Sequence, residues 1–250
     1  MSVLAELKNL SIAAPDRQLV TGVNVTVVER RVTALVGPSG AGKSLTARAM
    51  MCVLDVLPGL VSGSLVYPKL DQQRDLFAGV AGKGASGQQR LLQETAVLRG
   101  AYVSYSPQAA SSALNPGRTI GRQIELAMRR RERPPQDLAG EIRDILAEVG
   151  LGPEVSAALP GELSGGMAQR AALAIAVAPQ PRFVIADEPE TGLDPVLRRA
   201  VVELLVNVVK DHGAGLLLIS HHEDTVDRIA DDVVRLAPTS DDATHEGGDA

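Results

Sequence analysis

The sequence predicts an α/β fold with a mostly parallel core sheet, and three observations predict it. Short apolar runs recur along the chain, a glycine-rich loop joins one of them to a helix, and a stretch of helical spacing interrupts the alternation. The runs are Val32–Val36, Ala101–Ser104, Phe183–Ala186, Gly215–Ser220 and Asp232–Leu236. Each lies beside helical or turn sequence, and strands that alternate with helices pair in parallel. Ahead of them, the alternation in Val23-Asn24-Val25-Thr26-Val27 predicts a half-buried strand, so the residues before Val32 form an N-terminal antiparallel β-layer. Between Ile120 and Val149, apolar residues at Ile124, Ala127, Met128, Leu138, Ile142, Ile145, Leu146 and Val149 fall at helical spacing around Pro134-Pro135, which predicts a helical insertion. The segment Asp71–Gly100, rich in Gly, Gln and charge, reads as a surface excursion.

Composition narrows the function. The 250 residues carry a formal net charge of −5, which argues against nucleic acid as the main partner, because binding a phosphate backbone needs a dense basic surface. Aromatics are 2% of the chain and tryptophan is absent, so aliphatic side chains must build the core. Cys52 is the only cysteine and permits no intrachain disulfide, which suits a cytosolic protein. No apolar run reaches the roughly 18–20 residues of a membrane-spanning helix. The charged N-terminus does not read as a signal peptide, and Thr239–Ala250, rich in Asp, Glu and Gly, reads as a disordered acidic tail.

The chemistry begins at Gly37-Pro38-Ser39-Gly40-Ala41-Gly42-Lys43-Ser44, which fits the phosphate-loop pattern at every defined position and follows the strand Val32–Val36. Glycines let the loop curl so that backbone N–H groups face phosphate oxygens, and the helix starting near Lys43 adds its positive dipole end. Lys43 reaches the β- and γ-phosphates in this reading, and the Ser44 hydroxyl takes a position on Mg²⁺. Phe183–Ala186 then delivers Asp187 and Glu188 to the carboxyl edge of a buried strand, where open α/β sheets place their ligands. Asp187 suits the Mg²⁺ shell, and Glu188 suits a general base that polarises the attacking water. Beside a phosphate loop, these acids are more than a solvated pair at a strand end.

Three other stretches compete with this site. Gly82-Lys83-Gly84-Ala85-Ser86-Gly87 matches a dinucleotide fingerprint, but no strand precedes it, and it reads as a flexible loop. His221-His222-Glu223-Asp224 could be a metal cluster, yet adjacent side chains at a strand end diverge. Arg129-Arg130-Arg131-Glu132-Arg133 reads as a solvated helix end, with contact to anionic lipid as the alternative.

Leu163-Ser164-Gly165-Gly166-Met167-Ala168-Gln169-Arg170 resembles the signature motif of ATP-binding cassette (ABC) proteins. Taken alone, the serine could simply cap a helix. The resemblance implies the P-loop NTPase fold of ABC ATPases, a single domain over 1–236 with a helical subdomain at roughly 109–168, and a separate acidic tail at 237–250. It also implies ATP and Mg²⁺ as ligands, and a head-to-tail pair of subunits in which Ser164, Gly165 and Gly166 of one face the γ-phosphate held by the other. Gln108 matches the Q-loop glutamine, which contacts Mg²⁺ and the attacking water. Asp194, in Glu190-Thr191-Gly192-Leu193-Asp194, matches the D-loop at the subunit contact, and His221 matches the switch histidine, with His222 as its rival in register.

Gln108-Ala109-Ala110-Ser111-Ser112-Ala113-Leu114-Asn115-Pro116 is similar to the dipeptide, oligopeptide and nickel importer branch. That likeness implies an ATP-hydrolysing subunit peripheral to the cytoplasmic face of the membrane. It implies permease subunits, a second ABC ATPase and a solute-binding protein as partners, and peptides, nickel or metal chelates as cargo. An exporter ATPase or a non-transport regulatory ATPase is the alternative. One departure stands out: Ile12-Ala13-Ala14-Pro15 offers no aromatic platform for adenine.

Overall fold

The computed structural model describes residues 1–70, 74–108, 113–191 and 195–237, with the backbone alone for 195–197. The expected tail and Asp194 lie outside the described residues. β1 (Val3–Ala13) pairs antiparallel with β2 (Gln18–Val28). β3 (Val32–Val36) leads through the phosphate loop into α1 (Lys43–Met50), and β4 (Gly59–Val66) returns to the free edge of β1. The antiparallel sheet has the order β2-β1-β4.

The excursion is more ordered than its composition suggested. It contains α2 (Gly84–Glu94), and Phe77, Val80 and Leu91 are buried in the core. Gln88 fastens the helix by donating to the carbonyls of Val56 at 2.9 Å and Pro58 at 2.8 Å. The dinucleotide-like glycines are neither a flexible loop nor a phosphate cradle, since they form a turn and the first turn of α2. A Cβ on Gly87 would stand 2.5 Å from the Val80 carbonyl, so close packing requires that glycine.

The parallel sheet comprises β5 (Val103–Ser106), β6 (Phe183–Asp187), β7 (Gly215–Ile219), β3 and β8 (Asp232–Arg235), in that order. β5 starts later than the apolar run at Ala101, because the Tyr102 N–H bonds back to Leu98 in a turn and pairing begins at Val103 opposite Phe183. β7 stops at Ile219, where Ser220 turns its hydroxyl onto Glu190, and β8 stops at Arg235.

Between β5 and β6 lie α3 (Ile120–Met128), α4 (Leu138–Glu148) and α5 (Gly165–Val177). Thr119 caps α3 and Asp137 caps α4, each accepting a backbone N–H, and the two prolines at 134–135 separate the helices. α6 (Pro195–Asp211) precedes β7, and α7 (Glu223–Ile229) precedes β8.

Side-chain alternation along the parallel strands divides the interior in two. Phe183, Ile185, Leu217 and Ile219 pack against the β-layer, α1 and α2. Val184, Ala186, Leu216 and Leu218 pack against α3, α4, α5 and α6. The few aromatics cluster on the β-layer side, where Tyr67 stacks on Tyr102 with ring centroids 4.8 Å apart and Phe183 meets both rings edge-on.

Candidate functional site

Four neighbouring strands end at one edge of the parallel sheet, and their sequence order is β3, β5, β6, β7. Because the spatial order is β5-β6-β7-β3, the residues that follow these strands come together in a row. Neighbouring strands lie about 4.8 Å apart, so functional groups one strand apart can touch.

The phosphate loop follows β3. A Cβ on Gly42 would lie 2.5 Å from Val20 Cγ2 and 2.8 Å from the Leu19 carbonyl, and its φ of 87° is left-handed, so only glycine fits. Pro38, Ser39, Gly40 and Ser44 are exposed, whereas Ala41 and Lys43 are buried. The Lys43 ammonium donates to the carbonyls of Gly37 at 2.8 Å and Pro38 at 2.9 Å, and among the described residues it has no ion pair. A buried cation with only neutral partners, set in a loop at a helix N-terminus, fits a polyanionic ligand.

Next to the loop, β7 gives His221, β6 gives Asp187 and Glu188, and β5 gives Gln108. Gln108 Nε2 donates to Glu188 Oε2 at 2.8 Å, and His221 Nδ1 lies 3.5 Å from Glu188 Oε1. The Thr191 hydroxyl adds a donor to Glu188 Oε2 at 3.2 Å. Glu188 itself has a φ of 45°, unusual for a residue with a side chain, and its N–H donates to the Ile219 carbonyl at 3.0 Å, which fixes the strand-end turn. The two imidazoles do not diverge, since their ring centroids lie 4.0 Å apart, but His222 has a different partner: its Nδ1 lies 3.4 Å from Arg198 Nη1, and its pKa is lowered by burial, then by His221 and Arg198. Of the two adjacent histidines, His221 is the one whose ring nitrogen faces Glu188.

Asp187 is buried and accepts from the Tyr105 hydroxyl at 2.8 Å. Burial, then the Asp187 charge, raises the Tyr105 pKa well above that of free phenol, so the phenol stays a donor. Tyr105→Phe should remove this charge-assisted bond and cost about 1–3 kcal/mol of stability, which a urea titration would read directly. Among the described residues, no group of three or more His, Cys, Asp or Glu side chains could hold a metal ion. One carboxylate and one hydroxyl beside a phosphate loop still suit Mg²⁺, which keeps waters and takes phosphate oxygens.

The sequence assigns no role of its own to Tyr105, or to Glu190 and Thr191 within the D-loop stretch. Glu190 is fully buried, with Oε1 bonded to the Ser220 hydroxyl and Oε2 without a hydrogen-bond partner. The alternation of β5 could have pointed to Tyr105, since a tyrosine in register with Ile185 stands close to the next acid along β6.

The signature segment lies at the start of α5. Ser164 Oγ accepts from the Met167 N–H at 3.3 Å, so the serine does cap the helix. A Cβ on Gly165 or Gly166 would meet nothing within 4 Å, and neither residue has a positive φ. Each glycine costs a helix roughly 1 kcal/mol relative to alanine. Nothing within the described part of the subunit requires either one.

A model of the ABC transporter family matches residues 20–191. The chain belongs to the ABC transporter family. It is 35% identical over 234 residues to a nickel import ATP-binding protein, NikD, of Rhodospirillum rubrum, covering 91% of this chain and 80% of the relative. It is 33% identical over 225 residues to an oligopeptide transport ATP-binding protein, OppD, of Lactococcus lactis, covering 89% of this chain and spanning 62% of the length of that relative. Solved ABC structures share the fold: CbiO1 of Clostridium perfringens, part of the CbiONQ transporter complex, superposes with a TM-score of 0.72 at 20% identity over 94% of this chain and 85% of its own. The ATP-binding cassette MJ0796, in a dimer bound to ADP and Pi, gives 0.71 at 20% identity over 93% of this chain and 94% of its own. As an ABC ATPase, the chain takes ATP with Mg²⁺. Among the described residues, no helix is long and apolar enough to cross a membrane.

Proposed function

We propose that this ABC ATPase powers an importer for peptides, nickel or metal chelates from the cytoplasmic face of the membrane. Its partners are permease subunits, a second ABC ATPase of the same or a different chain, and a solute-binding protein. The observation that carries the ATPase mechanism is the convergence of Gln108 and His221 on Glu188 beside the phosphate loop. The similarity to the nickel and oligopeptide ATP-binding proteins supports the cargo class.

Lys43 and the loop N–H groups hold the phosphates, with the Ser44 hydroxyl and Asp187 on the Mg²⁺ side. Bound Mg²⁺ neutralises charge on the β- and γ-phosphates. Glu188 takes a proton from the attacking water, and Gln108 orients both the carboxylate and that water. His221 donates toward the charge that develops on the γ-phosphate. Asp194 contributes at the subunit contact. The pocket between the parallel sheet and α3, about 410 Å³ and lined by Tyr105, Pro107, Leu114, Asn115 and Gln123, offers the permease a surface continuous with Gln108.

Lys43→Ala should lose ATP retention by at least tenfold in equilibrium binding, because the buried cation is the one charge the loop supplies to the phosphates. Unchanged affinity would remove the phosphate-loop assignment. Purification from membranes tests the importer reading. Recovery of permease and solute-binding proteins is expected, and recovery of an exporter permease alone would overturn it.

A further inference from the structure

The arginine run at 129–133 has a structural setting that the ATPase mechanism does not use. A cleft of about 660 Å³ opens between the segment after α3 and the turn before β6, and Arg130, Arg131, Arg133 and Arg182 line it. Glu132 is the one carboxylate among its described lining residues. Most other arginines and lysines of this acidic chain are ion-paired or hydrogen-bonded, as Arg48 is with Asp55 and Arg129 with Glu125. The side chains of Arg130, Arg133 and Arg182 make no hydrogen bond or ion pair among the described residues, and all three are exposed.

Arg131 is the built part of the cleft. Its side chain is 6% exposed and held in place, with Nε donating to the Ala178 carbonyl at 2.7 Å and Nη1 to Glu141 at 2.9 Å. Its buried Nη2 has no hydrogen-bond partner, so a donor is left over at a site already rich in guanidinium. The apolar side chains of Leu70, Val97 and Leu98 and the ring of Tyr102 also line the cleft, and Val97 is 71% exposed.

We infer that this cleft is a second anion site, which binds a phosphate-bearing small molecule with a compact apolar portion. A guanidinium presents a planar fork that matches phosphate oxygens two at a time, and three unpaired forks around one cleft suit a phosphate better than a carboxylate. The apolar side chains take the rest of the ligand, and the volume falls within the range of ordinary ligand pockets. The site is separate from the phosphate loop. Arg182 precedes β6 whereas Asp187 ends it, so about 15 Å of strand stands between the two sheet edges.

Two sources share this chemistry, a soluble phosphate ester and a phospholipid headgroup, and one experiment separates them. The full-length chain carrying Lys43→Ala, which silences the phosphate loop, is titrated with naphthyl phosphate by fluorescence and with phosphatidic acid vesicles by cosedimentation. The same titrations follow on that chain with Arg133→Glu and Arg182→Glu added. Both added substitutions are at exposed residues, and an unchanged melting midpoint verifies the fold. Saturable naphthyl phosphate binding that weakens at least tenfold in the charge-reversed chain assigns a soluble ligand. Vesicle binding alone, lost in the same way, assigns a headgroup. Absence of saturable binding by both probes, or binding equal in the two chains, overturns the site. ATP affinity in the charge-reversed chain with Lys43 intact should stay within twofold, which keeps this test independent of the ATPase mechanism.

Discussion

Glu188→Gln should bind ATP as tightly as the unsubstituted chain while its turnover falls about 10²- to 10⁴-fold, the range for loss of a positioned general base. The geometry supports a selective defect. Gln108 and Thr191 both donate to Oε2 of Glu188, and an amide oxygen at that position can still accept from them. The strand-end turn is held by a backbone bond from Glu188 to Ile219, which the substitution leaves alone. Only the proton acceptor disappears, while Lys43 and the loop that grips the phosphates are untouched. Single-turnover hydrolysis at saturating ATP reads the chemical step directly. A loss smaller than tenfold would place the base elsewhere, and His221 would then be the group to test.

The second large effect is expected at the signature. Ser164 is a poor probe, because its hydroxyl caps α5 and its removal costs the helix about 0.5–2 kcal/mol whatever else it does. Gly165 is a clean probe. A side chain there meets open space within the subunit, and an aspartate in the first turn is favoured by the helix dipole. Gly165→Asp should therefore leave the melting midpoint unchanged or slightly raised. In a closed pair the same carboxylate would oppose a γ-phosphate, and ATPase turnover should fall at least a hundredfold. That combination of an intact subunit and a lost activity would come from a site completed by another subunit.

The parallel sheet and the phosphate loop could be read from the sequence because their signals are local. A strand buried on both faces is a short apolar run, and a loop that must curl around phosphate needs glycine at fixed spacing. Asp187 and Glu188 were legible for the same reason, as acids placed at the end of such a run. What could not be read depends on distant partners. α2 has few apolar positions and is held by Gln88 bonding to the Val56 and Pro58 carbonyls, far away in sequence. The link from Tyr105 to Asp187 spans two strands and has no motif of its own. Glu190 looks like one more acid of a polar turn, and only the fold shows it fully buried against Ser220. The roles of Gln108 and His221 came from resemblance to a family, and their meeting at Glu188 follows from the strand order β5-β6-β7.

The signature is expected to act on the nucleotide held by another subunit and not on the one held by its own Lys43. This is tested most directly by measuring ATP affinity and ATP-dependent association on the same preparation of Gly165→Asp, in a Glu188→Gln background that prevents turnover. Equilibrium binding on the dilute, separated subunit gives the first quantity, and sedimentation with the partner ATPase gives the second. The expected result is an affinity within twofold of the Gly165 parent and no association on adding Mg-ATP. A tenfold loss of affinity in the separated subunit, or association equal to that of the parent, would contradict it.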